Sequence, residues 1–499
     1  MTEHPAPTEH SAPTAPTGPD EDEQPALLLR GGPPTDPLPI QEMVRRTPYR
    51  SVQVPRGTRE ESEVQVALDL AVRVGELMLR CGAGAPQVEG SVAAVAAAAG
   101  LTNLEMDITL QAILLQSRSR EGVPSTQLRV VRTTRQDDAR LVAVHRLVTR
   151  FVTGELDIAS ASKELRQIKA RRRVWPDWIV DVASATLAAA VAMMIGASAV
   201  AGLFTLGSVL MVTWARSRAD RYRLPDFYVN AMAAFVATAL AWSGYLLGGL
   251  GVLSIRPPDF AFIVAGGIVA MLPGRTLAAA VEDVLSGYPI TAAGRLLGTM
   301  VALSGLVIGI ATALSLTFRI TASMRLGLVS PSVLDLNPSL ASWAWVVIGG
   351  FIIGVTGAIT LQSRMLLLAP VGLLCLAAGT LSALLYRIVE LGPIMSAGLA
   401  AVFIGFFGRF LAQQLRAPAM VVVVPASFAL LPGLTIFRGL YALVGPQDAG
   451  GLSIQTGLTT LLTALGVLLA IATGTTFGEI LASPFERESS LFAKRRHRG

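Results

Sequence analysis

Charge is scarce in this chain. Only 15% of its 499 residues are Asp, Glu, Lys or Arg, against 52% hydrophobic. Soluble globular chains carry about 25% charged residues, so water cannot be the solvent for the whole surface. Cysteine is scarcer still. Cys81 and Cys375 are the only two, which excludes a disulfide framework and a cysteine-based zinc site. The four histidines (His4, His10, His145, His497) are scattered. No cofactor or metal is expected. No apolar segment of signal-peptide type lies near the start, so no cleavable signal is expected. There is no G-x-S-x-G elbow, P-loop or H-E-x-x-H. Cys81 falls at the end of a predicted helix, where the negative dipole end disfavours a thiolate. A membrane-anchored hydrolase therefore remains only an alternative, and the chain reads as a non-enzyme.

What the chain does have is apolar residues in long runs, all after residue 175. Before them, residues 1–60 form a Pro-, Thr- and Glu-rich tail, whose composition predicts disorder. Residues 61–173 predict a compact α+β domain. ESEVQVALDLAVRVGELMLRCGAG places Val66, Leu70, Val74 and Leu77 at helical spacing and stops at Gly82 and Gly84. A second helix follows, then strands in LEMDITLQAILLQSR and QLRVVRTT, then two more helices ending in the basic run at Arg171, Arg172 and Arg173.

Ten apolar spans follow, near 178–197, 199–215, 227–250, 260–281, 293–316, 340–361, 365–385, 392–412, 419–443 and 454–475. The fold class is thus a polytopic α-helical membrane protein with an N-terminal α+β domain. The net charge of +6 could suggest nucleic acid, but its distribution argues against that. Arginines cluster before span one, after span two (Arg216, Arg218, Arg221, Arg223) and after span four (Arg295). Others follow span six (Arg364), span eight (Arg416) and span ten (Lys494, Arg495, Arg496, Arg498). Alternate ends are basic, which predicts ten crossings of a bacterial inner membrane with both termini cytoplasmic. The basic 481–499 segment is then a cytoplasmic C-terminal tail. No nucleic-acid partner is expected, lipid is, and a homo-oligomer is compatible with this reading.

The spans contain an internal repeat. VAMLPGRTLAAAVEDVLSG (269–287) aligns with FALLPGLTIFRGLYALVG (428–445), and SGLVIGIATA (304–313) with LGVLLAIATG (465–474). The repeating unit is five spans, 174–317 and 338–480. An odd unit predicts opposite orientations, an inverted 5+5 repeat of the kind used by many secondary transporters.

The paired Leu-Pro-Gly motifs are the candidate binding site. Proline removes a helical donor and glycine lets the backbone bend. Broken backbone at membrane depth is tolerated where protein or a watery cavity satisfies it. The exposed half-helix N-termini suit a substrate carboxylate. Candidate substrate-binding residues are therefore Pro273, Gly274, Arg275 and Thr276, with Pro432, Gly433 and Thr435 as counterparts, and Asn230 opening span three. Arg275 would hold the carboxylate. Glu282 and Asp283, near the cytoplasmic end of span four, are candidates to carry a coupling proton. Ordinary headgroup-level solvation of these two acids is the competing account.

The order of motifs resembles the threonine/serine exporter family of bacteria. GELMLRCGAGAPQVEGSVAAVAAAAGL, with Gly75, Gly82, Ala83, Val88, Glu89 and Gly100, carries the resemblance in the α+β domain. So does GELDIASASKELRQI at 154–168. Asn230 and the two Leu-Pro-Gly motifs carry it in the membrane part. His145 stands where relatives are expected to have Asn. The resemblance implies export of threonine and serine driven by the proton motive force, with the α+β domain as part of the exporter. Relatives split into two chains are linked to dicarboxylate efflux, so a dicarboxylate substrate stays open. A channel or a lipid-facing scaffold are the remaining alternatives.

Overall fold

The structure is a computed structural model. It describes Val44, Tyr49 and residues 61–101, 103–119, 123–222, 224–323, 342–444 and 453–496. The Pro-rich 1–60 tail lies outside the described residues except for Val44 and Tyr49. The side chains of the basic C-terminal run also lie outside them.

The N-terminal part is α+β, as its periodicity predicts. Helices α1 (Glu61–Arg80) and α2 (Ala85–Ala98) precede three strands, β1 (Leu104–Thr109), β2 (Ala112–Arg118) and β3 (Pro124–Val130). These form one antiparallel sheet in the order β1-β2-β3. Helices α3 (Asp138–Val152) and α4 (Ile158–Ala170) complete the unit. Its core is aliphatic: Leu68, Leu70, Met78, Val88, Ile113, Leu115 and Leu141 are all buried. Helix α1 ends in a left-handed turn at Gly82, φ 86°. The Ala83 N–H bonds the Met78 carbonyl at 3.1 Å and the Gly82 N–H bonds that of Leu79 at 3.0 Å. This closing pattern favours glycine, and it turns the Gly82 carbonyl toward the membrane helices.

The apolar part begins with α5 (Asp177–Met194), α6 (Ala199–Arg221) and α7 (Asp226–Gly249). A bent pair follows, α8 (Asp259–Met271) and α9 (Gly274–Leu285), then the long α10 (Pro289–Ser323). The same order then recurs. Helices α11 (Trp343–Thr360), α12 (Met365–Arg387) and α13 (Pro393–Gln414) lead to a second bent element, α14 (Met420–Ala426) with a short 3-10 turn to Leu430 and α15 (Gly433–Val444). Helix α16 (Ile454–Arg496) closes the chain. Among the described residues, eight helices are long and apolar enough to cross a membrane, or ten spans if each bent pair counts as one.

Close packing in this part depends on small residues, as expected where lipid offers no hydrophobic drive between helices. Helix α10 lies on α7 with Gly305 and Gly309 against the carbonyls of Phe227 and Ala231. Helix α16 lies on α13 with Gly474 and Gly478 against those of Gly398 and Val402.

The N-terminal domain touches one set of helix ends. It meets the end of α9, the start of α10, the turn at 361–363 after α11, and the end of α13. The Arg409 guanidinium on α13 donates to the Glu479 carbonyl on α16, so α16 passes near the same end. This alternation is what ten crossings require. It places the arginines read from the sequence, Arg295, Arg364 and Arg416, together on the side of the domain.

Candidate functional site

The two breaks have the same local structure. At the first, Leu272 is extended (ψ 131°) and Pro273 has φ −80°, ψ 56°. The Gly274 N–H bonds the Leu272 carbonyl at 2.9 Å, a tight turn around proline. At the second, Leu431 is extended (ψ 132°) and the Gly433 N–H bonds the Leu431 carbonyl at 3.0 Å. Flanking bonds also match: Leu277 to Pro273 at 3.1 Å and Ile436 to Pro432 at 3.0 Å. The elements bend by 52° and 48°.

The breaks also meet. Gly274 faces Phe428 and Leu431 of the other break. Gly433 presses on α8, where an added Cβ would stand 2.6 Å from the Ala265 carbonyl oxygen and 2.5 Å from Val269. Pro432 and Gly433 are buried, while Pro273, Gly274, Thr276 and Thr435 are half-buried. Six of the predicted site residues are thus gathered around one crossing.

Arg275, in the first turn of α9, is the seventh. It is 2% exposed, and its guanidinium pairs with the fully buried carboxylate of Asp138. Its Nε also reaches the Gly82 carbonyl at 3.5 Å, and Nη2 lies 3.8 Å from Met420 Sδ. Asp138 opens α3 of the N-terminal domain. Ser363 Oγ donates to its other oxygen at 3.1 Å, and its backbone N–H bonds the Leu361 carbonyl at 3.0 Å. Burial pushes the Asp138 carboxyl above its usual range, with Arg275 and then Ser363 opposing that shift. The domain therefore inserts a carboxylate directly beside the first break.

Glu282 and Asp283, at the other end of α9, also engage the domain. Helix α2 starts at Ala85 after Gly84, which supplies no side-chain cap. Asp283 caps it instead, accepting from the Ala85 N–H at 2.8 Å, and pairs with Arg295 at 3.0 Å. Arg295 in turn donates to the Ala83 carbonyl at 3.1 Å. Glu282 accepts from Gln87 Nε2 at 3.2 Å. Tyr288 donates to Glu89, whose carboxyl burial pushes up. A carboxylate facing a helix N-terminus is favourable through the exposed N–H groups and the dipole.

A third contact involves strain. Leu110, at the tip of the β1–β2 hairpin, has φ 49° without being glycine. Its N–H bonds Thr291 Oγ1 at 3.1 Å, and that hydroxyl donates to the Ile108 carbonyl at 3.0 Å. Such a conformation persists only where surrounding contacts fix it, and here the elbow between α9 and α10 supplies them. Asn230 sits elsewhere. Its amide accepts from Arg216 at 3.0 Å and donates to the Ala302 carbonyl at 3.3 Å, tying α7 to α6 and α10.

Sequence reasoning missed several of these residues. Asp138 follows Asp137, which caps α3 by accepting from the Arg140 N–H at 2.9 Å. An acidic pair at a helix start reads as a cap plus a solvated neighbour, and nothing local distinguishes the buried member. Gln362 was equally hidden. Its side chain bridges the Trp175 backbone on both sides at 3.0 Å, holding the entrance of α5 to the turn after α11. At the opposite end of the helices, buried Asp259 accepts from Ser198 Oγ at 2.7 Å and the Arg256 N–H at 2.9 Å.

Within the domain, burial pushes the Cys81 thiol up to about 12, which keeps it protonated. His145 is lowered to about 4 by burial and then by Arg146, and it shares a 2.7 Å hydrogen bond with Tyr49.

A bundle of long apolar helices with two bent elements meeting beside a buried Arg275–Asp138 pair has the make-up of a multi-pass membrane protein. Comparison with known proteins narrows the class. A threonine/serine exporter family model matches residues 69–317, and a second threonine/serine exporter model matches 346–481. The chain belongs to the threonine/serine exporter family. It is 28% identical over 462 residues to a "Probable threonine/serine exporter" of Mycobacterium tuberculosis, covering 92% of this chain and 82% of that one. It is 27% identical over 449 residues to a threonine/serine exporter of Corynebacterium glutamicum, covering 89% and 88%. No solved structure matches it. The family makes it a multi-pass membrane exporter, in line with the reading that it is not an enzyme.

Proposed function

We propose that the chain exports threonine and serine from the cytoplasm across the inner membrane, driven by the proton gradient. The observation that carries this reading is the pair of matched, touching breaks with Arg275 in the first turn beyond one of them. In this reading the two five-span halves have opposite orientations and the α+β domain is cytoplasmic. The relatives' names supply the substrate class.

Asp138 is the internal stand-in for the substrate carboxylate, because it offers Arg275 the same group. When the domain withdraws, the guanidinium and the positive half-helix ends face an amino-acid carboxylate instead. Thr276 and Thr435 then favour a small side chain that hydrogen-bonds. The domain thus acts as the inner gate. Glu282 and Asp283 link the gate to protons, since a proton on either removes charge that holds Gln87, Ala85 or Arg295.

Efflux from cells preloaded with a threonine-containing dipeptide tests the reading. Expression should speed threonine efflux, an uncoupler should abolish the gain, and Arg275→Met should remove it at normal abundance. Unchanged threonine and serine efflux with faster dicarboxylate efflux would replace the substrate. Normal transport by Arg275→Met would remove the assigned site.

A further inference from the structure

A second site lies away from the breaks, where α3 and α4 face the helix ends. A cavity of about 460 Å³ is walled there by Arg146, Arg150, Lys163, Arg171 and Arg364, with Glu164 the one carboxylate among its lining residues. That volume falls in the range of small-molecule sites, roughly 300–1,000 Å³. The cations come from two parts of the chain. Arg146, Arg150 and Lys163 stand on the N-terminal domain. Arg171 ends α4 of the same domain, and Arg364 stands at the N-cap position of α12 in the membrane part, where its side chain makes no capping hydrogen bond.

Two of the five are already engaged. Arg150 holds Glu164 through two 3.0 Å contacts, which uses the carboxylate of the wall. Arg146 is bound to the Leu415 and Arg416 carbonyls at 3.0 and 3.3 Å. Among the described residues no carboxylate pairs with Lys163, Arg171 or Arg364. The Arg171 backbone is fixed by Arg140, which donates to its carbonyl at 2.8 Å. Repulsion is felt in the cluster: burial first, then Arg146 and Arg171, hold the Arg364 guanidinium below the usual arginine range.

Topology-setting arginines need only lie on one side of the membrane. Nothing in that requirement brings five cations from two domains around one hollow, where like charges oppose folding. We infer that this cavity binds a phosphate-bearing anion that bridges the N-terminal domain to the helix ends. Phosphate suits it because its charge and several acceptor oxygens match clustered guanidinium and ammonium donors. Two sources share this chemistry, the headgroup of an anionic membrane lipid and a soluble phosphate compound. Binding would reinforce the docked arrangement, because Arg364 directly follows the Gln362–Ser363 turn that holds Trp175 and Asp138. The inference is independent of which solute the chain carries.

The test uses the full chain in neutral detergent, titrated separately with dioleoyl phosphatidylglycerol and with inorganic pyrophosphate, with bound mass read by native mass spectrometry. One or both probes should bind. The Arg171→Gln/Arg364→Gln double variant should weaken that binding on the order of tenfold to thirtyfold, at about one decimal unit or less per basic residue. Arg172→Gln, an exposed basic neighbour outside the cavity wall, should leave it within about twofold. Preference for the lipid or for pyrophosphate identifies the source, and either supports the site. Should the double variant fail to fold, Lys163→Gln on the exposed face of α4 takes its place. No binding of either probe, or equal weakening by Arg172→Gln, would overturn the inference.

Discussion

The buried pair between Asp138 and Arg275 makes the sharpest prediction. Arg275 is 2% exposed and Asp138 is fully buried, so neither charge has water to fall back on. In Asp138→Ala the guanidinium keeps only a 3.5 Å contact to the Gly82 carbonyl and a sulfur at 3.8 Å. Removing one partner of a buried pair typically costs about 3–5 kcal/mol. Most of that cost disappears if the domain undocks and water reaches Arg275, so the docking equilibrium should absorb it. Cys81 provides the readout. It is buried, and it adjoins the Gly82 carbonyl that faces Arg275. In a Cys375→Ala background, maleimide labelling of Cys81 should be about a hundredfold faster in Asp138→Ala, since 1.4 kcal/mol is a factor of ten. Arg275→Met alone should show a similar rise, because it strands the Asp138 carboxylate. The Asp138→Ala/Arg275→Met double variant should return most of the way to the parent rate, because no buried charge is then left unpaired and apolar replacement of both members of a buried pair is often neutral. A coupling below about 0.5 kcal/mol in this cycle would refute the reasoning, because residues in contact should exceed it.

Other outcomes follow from single contacts. Gly433→Ala should lower folded abundance or transport sharply, since its Cβ would stand 2.6 Å from the Ala265 carbonyl oxygen. Gly274→Ala, with its nearest neighbour at 3.6 Å, should be far milder in the same efflux and abundance assays; overpacking costs about 1–3 kcal/mol. Asp283→Ala removes both the cap of α2 and the partner of Arg295, so amide exchange in the first turn of α2 should speed up, on the order of tenfold for a lost cap worth about 1 kcal/mol. His145 is held neutral when folded, because burial lowers it to about 4 from the usual 6.5 of a histidine. The unfolded chain therefore binds the extra proton, and this contribution is complete above pH 6.5 and is lost as pH falls toward 4. It is worth about 3 kcal/mol at most. Thermal unfolding at pH 7 and pH 5 should diverge more for the parent than for His145→Asn, which has no proton to gain. Equal divergence would show that His145 does not control the acid response.

Long-range facts separate what could be read from the chain and what could not. Each apolar span announced itself by length and composition, because a bilayer about 30 Å thick admits few other solutions. The α+β domain was equally legible, since helix and strand periods and the glycine at position 82 are local signals. Both Leu-Pro-Gly breaks were visible for the same reason: proline and glycine act on the backbone at their own positions. The contacts of Arg275 were not. Its partner lies 137 residues away in a different domain, and its burial depends on where that domain settles. Glu282 and Asp283 read as acids near a membrane surface, yet they cap and bind a helix that precedes them by nearly two hundred residues. The basic cavity is invisible for a similar cause. Arg171 and Arg364 look like ordinary topology signals until α3 and α4 close over the ends of the spans. Sequence alone determined which segments are long and apolar enough to enter lipid and where their helices break, because those are properties of short stretches of chain. Only the tertiary structure decided which charges meet, because ion pairing depends on distance in space, and spacing along the chain does not set that distance.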